Sequence, residues 1–111
     1  MKHLHRYAEV RILDASNVAA RIRERFETWF VADKDDLVFR SWILETDDIN
    51  SHLKWLLGML VHERKFIRQL QSEGVQFVVR VYCERLPIYI EPESLMLPHK
   101  LHLPVEIVDR N

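Results

Sequence analysis

Glycine is the scarcest structural signal in this 111-residue sequence, with only Gly58 and Gly74 in the whole chain. Loops that cradle phosphates need several glycines, because only glycine lets the backbone approach a phosphate closely. Two isolated glycines therefore argue against the common nucleotide-binding loops. The sequence also has no G-x-S-x-G segment, so it does not indicate a hydrolase with a nucleophile elbow.

Cysteine and unbalanced charge are scarce as well. Cys83 is the only cysteine, which excludes an internal disulfide and is typical of the reducing cytosol. The 16 basic and 17 acidic residues give a net charge of −1, which does not favour a general nucleic-acid-binding field. No apolar run approaches the roughly 18 residues of a membrane-spanning helix. We therefore expect a cytoplasmic protein that binds neither nucleic acid nor membrane.

The length and composition predict one domain over residues 1–111. Hydrophobic residues make up 48% of the chain, which is enough for a single core and too many for a disordered chain. Hydrophobic periodicity predicts eight elements in the order β-α-β-α-β-β-α-β. The predicted strands cover residues 7–13, 37–46, 75–84, 88–91 and 103–109, and the predicted helices begin near residues 18, 48 and 92.

Local signals refine these elements. Asp14, Ser16 and Asn17 are candidate N-caps for the first helix, which an apolar stripe extends to Phe30, and residues 33–36 follow as a polar loop. A continuous helix over residues 48–73 would be about 39 Å long at about 1.5 Å per residue, so we predict a break near residues 61–63. Gly74 stands where a left-handed residue ends a helix.

The proline-containing segment predicts several changes of direction. Residues 85–87 are expected to turn the strand 75–84 into the strand 88–91 as an antiparallel hairpin. Pro98 is expected to shorten or kink the last helix, and Pro104 to place the last strand at a sheet edge or give it an irregular start. Together the elements predict a two-layer α+β domain, an antiparallel sheet with helices on one face, as a ferredoxin-like variant.

The chain from Trp42 onward resembles the bacterial domain-of-unknown-function family numbered 4279. The resemblance covers about two-thirds of the chain and is carried by apolar spacing in the segments 41–44, 49–60, 90–95, 101–103 and 106–109. The N-terminal third of the chain departs from the pattern of that family. Pro98 is a second departure, because it interrupts the last helix that the family pattern predicts. The resemblance implies the fold and supplies no chemistry, while the likeness of such small domains to immunity proteins of toxin systems is an analogy of fold.

Metal and catalytic chemistry find little support in the sequence. His3 with His5, and His99 with His102, form only pairs, whereas zinc needs at least three protein ligands. Asp33, Asp35 and Asp36 have the spacing of a calcium loop without its glycine and later glutamate, which favours a solvated turn. Asp14 ends the first strand, where some metal-dependent nucleases keep a carboxylate, although helix capping explains it equally well. We expect no catalytic residue, metal or cofactor, and Asp14 remains an open alternative.

The outward-facing positions of the strands predict a recognition surface. If Phe77 and Val79 face the helices, the opposite face of the sheet carries side chains from the first four predicted strands: Tyr7, Glu9, Arg11, Val38, Arg40, Trp42, Leu44, Gln76, Val78, Arg80, Tyr82, Glu84, Tyr89 and Glu91. Tryptophan, tyrosine and arginine dominate the energetics of protein interfaces. The sequence therefore predicts Arg40, Trp42, Arg80 and Tyr82 as partner-binding residues, and a merely solvated sheet face is the alternative.

A second predicted patch lies on the long helix. Trp55 and Met59 fall off the apolar stripe of that helix at helical spacing and could bind a partner, although packing against the core is the competing interpretation.

Three functional hypotheses follow from the sequence. The first is a non-enzymatic protein-interaction domain, with an immunity-type protein that neutralises a bacterial toxin by binding it as one form. The second is a homodimeric ligand-binding or regulatory domain. The third is a metal-dependent nuclease-like ferredoxin fold that uses Asp14.

Overall fold

The computed structural model describes residues 5–84 and 87–110. It contains five strands and four α-helices, with a short 3-10 turn, Val61–Glu63, between the second and third helices. The strands are β1 Arg6–Leu13, β2 Val31–Asp33, β3 Asp36–Arg40, β4 Gln76–Cys83 and β5 Val105–Asp109. The helices are α1 Ala19–Phe26, α2 Ile49–Leu60, α3 Arg64–Ser72 and α4 Pro92–Lys100. The element order therefore differs from the predicted one, because β2 was not predicted and no strand covers residues 88–91.

The five strands form one mixed sheet in the order β2-β3-β1-β4-β5. The pairs β2–β3, β3–β1 and β1–β4 are antiparallel, whereas β5 runs parallel to β4. The domain belongs to the α+β class, as the sequence predicted. The expectation of a purely antiparallel sheet is wrong, because α4 returns the chain to the other end of the sheet before β5 begins.

All helices contribute to one hydrophobic core on one face of the sheet. Alternate residues of β1 and β4 point into this core, as their period of two predicts, and are fully or almost fully buried. The sheet side comprises Ala8, Val10, Ile12, Phe77, Val79 and Val81, and the helix side includes Ile22, Phe26, Leu53, Leu56, Leu57, Leu60, Ile67 and Leu70. Among residues 5–84 and 87–110, no helix is long and apolar enough to cross a membrane.

The segment after α1 forms a β-hairpin, and its turn at residues 34–35 lies within the predicted polar loop, whereas the strand before that turn was not predicted. α1 ends at Phe26, since Glu27 adopts a left-handed conformation with φ 54°, and Trp29 and Phe30 still pack in or against the core. β2 and β3 then pair around Lys34, which also has a positive φ, of 56°. A three-residue strand is too short to show a periodicity, which explains why the sequence did not predict it. The N-cap of α1 is Val18 without a side-chain hydrogen bond, so the predicted polar caps are wrong.

β3 ends at Arg40 and does not continue to Thr46 as predicted. Ser41 terminates the pairing with β1, because its hydroxyl accepts the Ala8 N–H at 2.9 Å where a strand would offer a carbonyl. The Ser41 N–H still donates to the Ala8 carbonyl at 3.0 Å, and a turn follows as the Leu44 N–H donates to the Ser41 carbonyl. Residues 45–48 then lead to α2, whose N-cap Asp48 accepts the Asn50 N–H at 3.2 Å, as one of the predicted caps.

The predicted break in the long helix is confirmed. The 3-10 turn over residues 61–63 separates α2 from α3, and this allows both helices to bury apolar side chains against the same sheet. Gly74 ends α3 with φ 94°. The N–H groups of Gly74 and Val75 donate to the carbonyls of Gln71 and Leu70, both at 3.0 Å, which is the pattern of a Schellman motif.

The predicted strand 88–91 is wrong, and the hairpin turn predicted at residues 85–87 lies mostly outside the described residues. Asn50 holds the segment against α2, because its amide donates to the Tyr89 carbonyl at 3.1 Å and accepts the Glu91 N–H at 2.8 Å. Asn50 also accepts the hydroxyl of buried Ser94 in α4, at 2.8 Å. The first two bonds satisfy backbone groups that a strand would have paired with a neighbouring strand, and the third joins the segment to α4.

The last helix and strand follow the prolines. α4 starts at Pro92, whose missing N–H costs nothing at the first helical position, as predicted. Pro98 lies inside α4, which continues to Lys100, so the expectation of a shortened helix is wrong. β5 starts directly after Pro104 and forms the edge of the sheet, as predicted.

Candidate functional site

The face of the sheet opposite the helices carries polar and aromatic side chains, and we refer to it as the outer face. It is formed by Tyr7, Glu9, Arg11, Val38, Arg40, Val78, Arg80, Tyr82, Glu106 and Val108, which alternate with the core residues along the strands. The sequence predicted this alternation, but it did not predict that Glu9, Tyr7 and Arg11 would be buried.

One row of residues crosses the outer face with alternating charge. Glu9 of β1 is directly opposite Arg40 of β3 and Arg80 of β4, and Arg80 is in turn opposite Glu106 of β5. Arg80 donates from Nε to Glu106 at 3.2 Å. Opposite charges on directly facing strand positions stabilise the pairing, so this row favours the observed register.

Glu9 is the centre of this row and is completely buried. Its carboxylate accepts Nε of Arg11 at 2.7 Å, Nε of Arg40 at 3.1 Å and the hydroxyl of Tyr82 at 3.0 Å. A buried carboxylate is tolerated only when it is paired and hydrogen-bonded, and these donors meet that requirement. Burial, with the nearby Glu9 charge, raises the pKa of Tyr82, so its phenol stays protonated and donates to Glu9.

Arg11 joins Glu9 to the β2–β3 hairpin. Its guanidinium donates to Asp33 at 2.6 Å and to Asp36 at 2.8 Å. Burial opposes the charge on Arg11, but its bonds to Glu9, Asp36 and Asp33 outweigh that penalty and raise its pKa. The hydrogen bond from Arg11 also lowers the pKa of Asp36 and that of Asp33. Of the acidic residues predicted as a solvated turn, Asp33 and Asp36 therefore pair with a buried arginine, whereas Asp35 is exposed in the turn.

Aromatic residues cluster at one end of the outer face, and we refer to Tyr7, Arg40, Trp42, Tyr82 and Arg110 as the aromatic corner. The Tyr7 and Tyr82 rings are stacked with centroids 4.8 Å apart, and Trp42 meets Tyr7 edge-on at 5.4 Å. The guanidinium of Arg40 lies 4.8 Å from the Trp42 ring, and that of Arg110 lies 5.5 Å from the Tyr7 ring. The corner is therefore a continuous set of stacked rings and guanidinium groups.

Trp42 is the exposed member of the aromatic corner. The sequence placed it on a strand, which is wrong, because the chain leaves the sheet at Ser41. Its ring nevertheless lies against the outer face and is 49% exposed, held by Arg40 and Tyr7. Tyr89 and Glu91, also predicted on this face, lie outside the sheet, and Tyr89 is 73% exposed. The structure brings together the four predicted partner-binding residues Arg40, Trp42, Arg80 and Tyr82 on or against this one face.

The second predicted patch is not an exposed surface. Trp55 and Met59 are partly buried and pack against the hydrophobic core. The Trp55 ring lies 5.5 Å from the ring of Phe39, a core residue of β3. The structure therefore agrees with the competing interpretation, in which both side chains pack against the core.

Asp14 does not belong to a carboxylate cluster that could hold a metal. Its side chain is exposed, its φ is 47°, and its N–H donates to the Asp36 carboxylate at 2.8 Å. Within residues 5–84 and 87–110, no group of three or more His, Cys, Asp or Glu side chains is arranged as metal ligands. Of the predicted histidine pairs, His3 lies outside the described residues, and His5 contacts Glu84 at 2.8 Å.

A buried serine–histidine pair was not predicted. Ser41 and His52 are both completely buried, with Ser41 Oγ 2.6 Å from His52 Nδ1. His52 Nε2 lies 2.5 Å from the Thr46 carbonyl, which can only accept, so the proton is on Nε2 and Nδ1 accepts the serine hydroxyl. A nucleophile needs access to substrate, whereas this pair is enclosed and ties the chain after β3 to α2. The sequence did contain one signal for this pair: His52 precedes Leu53 of the apolar stripe, which indicates that its side chain lies on the buried side of α2.

A cavity of about 110 Å³ lies between the start of α1 and the β2–β3 hairpin. Its lining mixes basic Arg23 and Lys34 with acidic Asp35 and Asp36. Ligand pockets commonly measure about 300–1,000 Å³, which is several times the volume of this cavity. This cavity therefore does not favour a small-molecule site.

Comparisons with known protein families, with curated proteins and with solved structures find no match to this chain. The resemblance to the bacterial family numbered 4279 stays a prediction.

Proposed function

We propose that this chain is a non-enzymatic protein-interaction domain that binds a partner protein with the aromatic corner of its outer face. The observation that carries the proposal is the half-exposed Trp42 ring, which Arg40 and Tyr7 hold in place. Tryptophan, tyrosine and arginine are the residue types that most often carry binding energy in protein interfaces. An immunity-type protein that occludes a bacterial toxin in the cytoplasm is the form of this function that we favour.

Preorganisation supports the choice of this face. Arg40 donates to buried Glu9, so its guanidinium is positioned under Trp42 before any partner arrives. Tyr7 is fixed by stacking on Tyr82, whose hydroxyl also donates to Glu9. Ordering long side chains costs free energy on binding, and a corner that is already ordered avoids most of that cost. Glu9 therefore acts as a positioning residue for the proposed interface.

The finer description of the fold belongs to the same proposal. In the sheet, the first four strands follow the order β2-β3-β1-β4, and every neighbouring pair is antiparallel. Along the chain, α1 connects β1 to β2, and the helices α2 and α3 connect β3 to β4. A ferredoxin-like unit has this β-α-β-β-α-β connection, and α4 with β5 would be an extension of it. Such folds host many functions, so a ferredoxin-like fold describes the architecture of this chain and implies no particular activity.

The test compares Trp42→Ala with Ile43→Ser as a matched control. Ile43 is the next residue and is 74% exposed, but it takes no part in the aromatic corner. The tagged protein captures its partner from the cells that produce it, and calorimetric titration with the purified partner then gives the affinities. We expect Trp42→Ala to weaken binding about tenfold or more and Ile43→Ser to leave it within about twofold.

Two results would overturn the proposal. One is an unchanged affinity of the Trp42→Ala variant for the partner, and the other is a captured species that proves to be RNA. Trp42 is a sharper probe than Tyr82, because replacing Tyr82 by alanine also removes a donor from buried Glu9.

A further inference from the structure

The edge strand β5 has backbone groups and side chains suited to pairing with another strand. It lies at the end of the sheet, and Ile107 is 55% exposed. The Val79 N–H donates to the Pro104 carbonyl and the Arg110 N–H donates to the Cys83 carbonyl, both at 2.9 Å. Backbone N–H and C=O groups alternate in direction along a strand. The backbone groups of the even-numbered residues of β5 therefore face β4, and those of Ile107 face the open edge of the sheet.

The alternating charge row ends at this edge. It runs Arg40, Glu9, Arg80 and Glu106 across four strands, and the side chain of Glu106 is 54% exposed. The row is thus positive, negative, positive and negative, with the last carboxylate beside the open edge. A cation on one further strand would extend the alternation.

We propose that the further strand is β5 of a second copy of this chain, paired antiparallel about a two-fold axis at Val108. Arg110 supplies the cation, since it extends the β5 ladder by one hydrogen bond and its side chain lies on the outer face. In the single chain its guanidinium lies inward over Tyr7 of β1, and in the dimer it turns to the open edge. No carboxylate of the described residues is within ion-pair distance of Arg110. Glu106 of each copy then lies opposite Arg110 of the other.

Backbone geometry leaves only a few registers for this pairing, and the charges select one. In an antiparallel pair, two directly opposed residues both turn their backbone groups to the partner strand or both turn them away. The two-fold axis must therefore pass through a residue such as Ile107 or Val108. An axis at Ile107 puts Glu106 opposite Val108, whereas an axis at Val108 puts Glu106 opposite Arg110 twice. Charged residues usually protect an edge strand from pairing, but here their signs are complementary under the two-fold axis.

The neighbouring row on the outer face supports the same axis. Tyr7 is opposite Tyr82, and Tyr82 is opposite Val108, so this row is aromatic and apolar up to the edge. An axis at Val108 joins the two rows through a contact between the Val108 side chains. The two sheets would then form one sheet of ten strands, with both outer faces on the same side.

Cysteine cross-linking tests the register directly. In a background with Cys83→Ala, Val108→Cys is compared with Ile107→Cys after mild oxidation on a non-reducing gel. Residues directly opposed at a site without backbone hydrogen bonds have Cα atoms about 4.5 Å apart, which a disulfide can span. We expect Val108→Cys to form the covalent dimer and Ile107→Cys not to form it. Cross-linking of Ile107→Cys alone, or of neither variant, would overturn the proposal.

Charge exchange tests the proposed contact in solution by sedimentation equilibrium over a range of concentrations. Each single change, Glu106→Arg or Arg110→Glu, places like charges opposite each other twice, and we expect about tenfold weaker dimerisation. The double variant should restore the wild-type affinity, and Glu24→Arg on exposed α1 is the control. A strictly monomeric wild type, or a dimer that neither single variant weakens, contradicts the proposal.

Ile107→Pro gives an independent answer if Glu106→Arg fails to fold without its bond to Arg80. The N–H that proline removes faces the outer edge, so the pairing of β5 with β4 is kept while the pairing between copies is lost. A folded Ile107→Pro variant that still dimerises with wild-type affinity overturns the proposal. None of these measurements needs the partner protein, so their failure is separate from a failure of the proposed function.

Discussion

The Glu9 carboxylate lies 3.1 Å from Nε of Arg40, and this pair is at the centre of an outer face whose only completely buried acid is Glu9 among the described residues. The pair has two consequences. It joins β1 to β3 through an ion pair, and it positions the guanidinium that stacks on Trp42. Stability and the proposed binding surface therefore depend on the same carboxylate.

Replacement of Glu9 by glutamine should strongly destabilise the fold. Arg11 and Arg40 would lose their shared carboxylate while remaining largely buried, and breaking a buried ion pair in this way costs about 3–5 kcal/mol. Urea denaturation of Glu9→Gln beside Glu24→Gln, which changes an exposed residue, measures the difference. A loss no larger than that of the control would show that the network does not stabilise the protein.

Replacement of Ser41 by alanine should destabilise the chain where it leaves the sheet. The Ala8 N–H would lose its acceptor and His52 Nδ1 would lose its donor, at about 1–3 kcal/mol for each buried group left unsatisfied. Ser16→Ala, at an exposed position, is the control. Thermal or urea unfolding checks the expectation, and equal stability of the two variants would contradict it.

Asn50→Ala should loosen the segment that precedes α4. The Glu91 N–H and the Ser94 hydroxyl both lose their acceptor, so we expect about 2 kcal/mol of destabilisation and faster hydrogen exchange at the Glu91 amide. The Val79 amide in the centre of the sheet serves as the internal reference. Equal protection of Glu91 in the variant and the wild type would contradict this role of Asn50.

The two glycines should respond in opposite directions to alanine. Gly74 has φ 94°, a conformation that costs a residue with a Cβ about 1–2 kcal/mol. Gly58 lies inside α2, and an added Cβ would meet no atom within 4 Å, so alanine should stabilise the protein by about 0.5–1 kcal/mol. Denaturation of both variants gives the signs. Stabilisation by Gly74→Ala would contradict the assigned helix end.

The Arg21–Glu73 pair should contribute to stability only above acidic pH. Hydrogen bonds from Arg21 and Gln69 lower the pKa of Glu73 from 4.5 to about 2. A lowered pKa in the folded state means that the contribution is complete above the unfolded value and is lost as pH falls through the folded value. We expect Glu73→Gln to be slightly less stable than wild type at neutral pH, with the difference disappearing near pH 2. A difference that stays constant with pH would contradict this assignment.

Several elements could be predicted because their causes are local. The alternation of β1 and β4 and the apolar stripe of α2 reflect periodicities of two and 3.6 residues, and these follow from backbone geometry. The helix end at Gly74 depends on a single residue that can adopt positive φ. The break at residues 61–63 follows from the length of the helix compared with the size of a domain.

Other elements could not be predicted because their causes lie far away in the sequence. The segment 88–91 has the composition of a strand, yet the amide of Asn50 on another helix takes up its backbone groups. β2 is a different case: its partner β3 is its neighbour in the sequence, but a strand of three residues is too short to show a periodicity. The exposure of Trp55 and Met59 was predicted from one helix alone, whereas packing against the core partly buries both.

By itself the sequence determined the α+β class, the core faces of β1 and β4, and the residue types on the outer face. Only the tertiary structure decided that Glu9 is buried, because its donors come from three different strands. It also decided that β5 runs parallel to β4 and ends the sheet with Glu106 at an open edge. Local patterns determine which way a side chain points, whereas burial and charge pairing depend on which strands become neighbours.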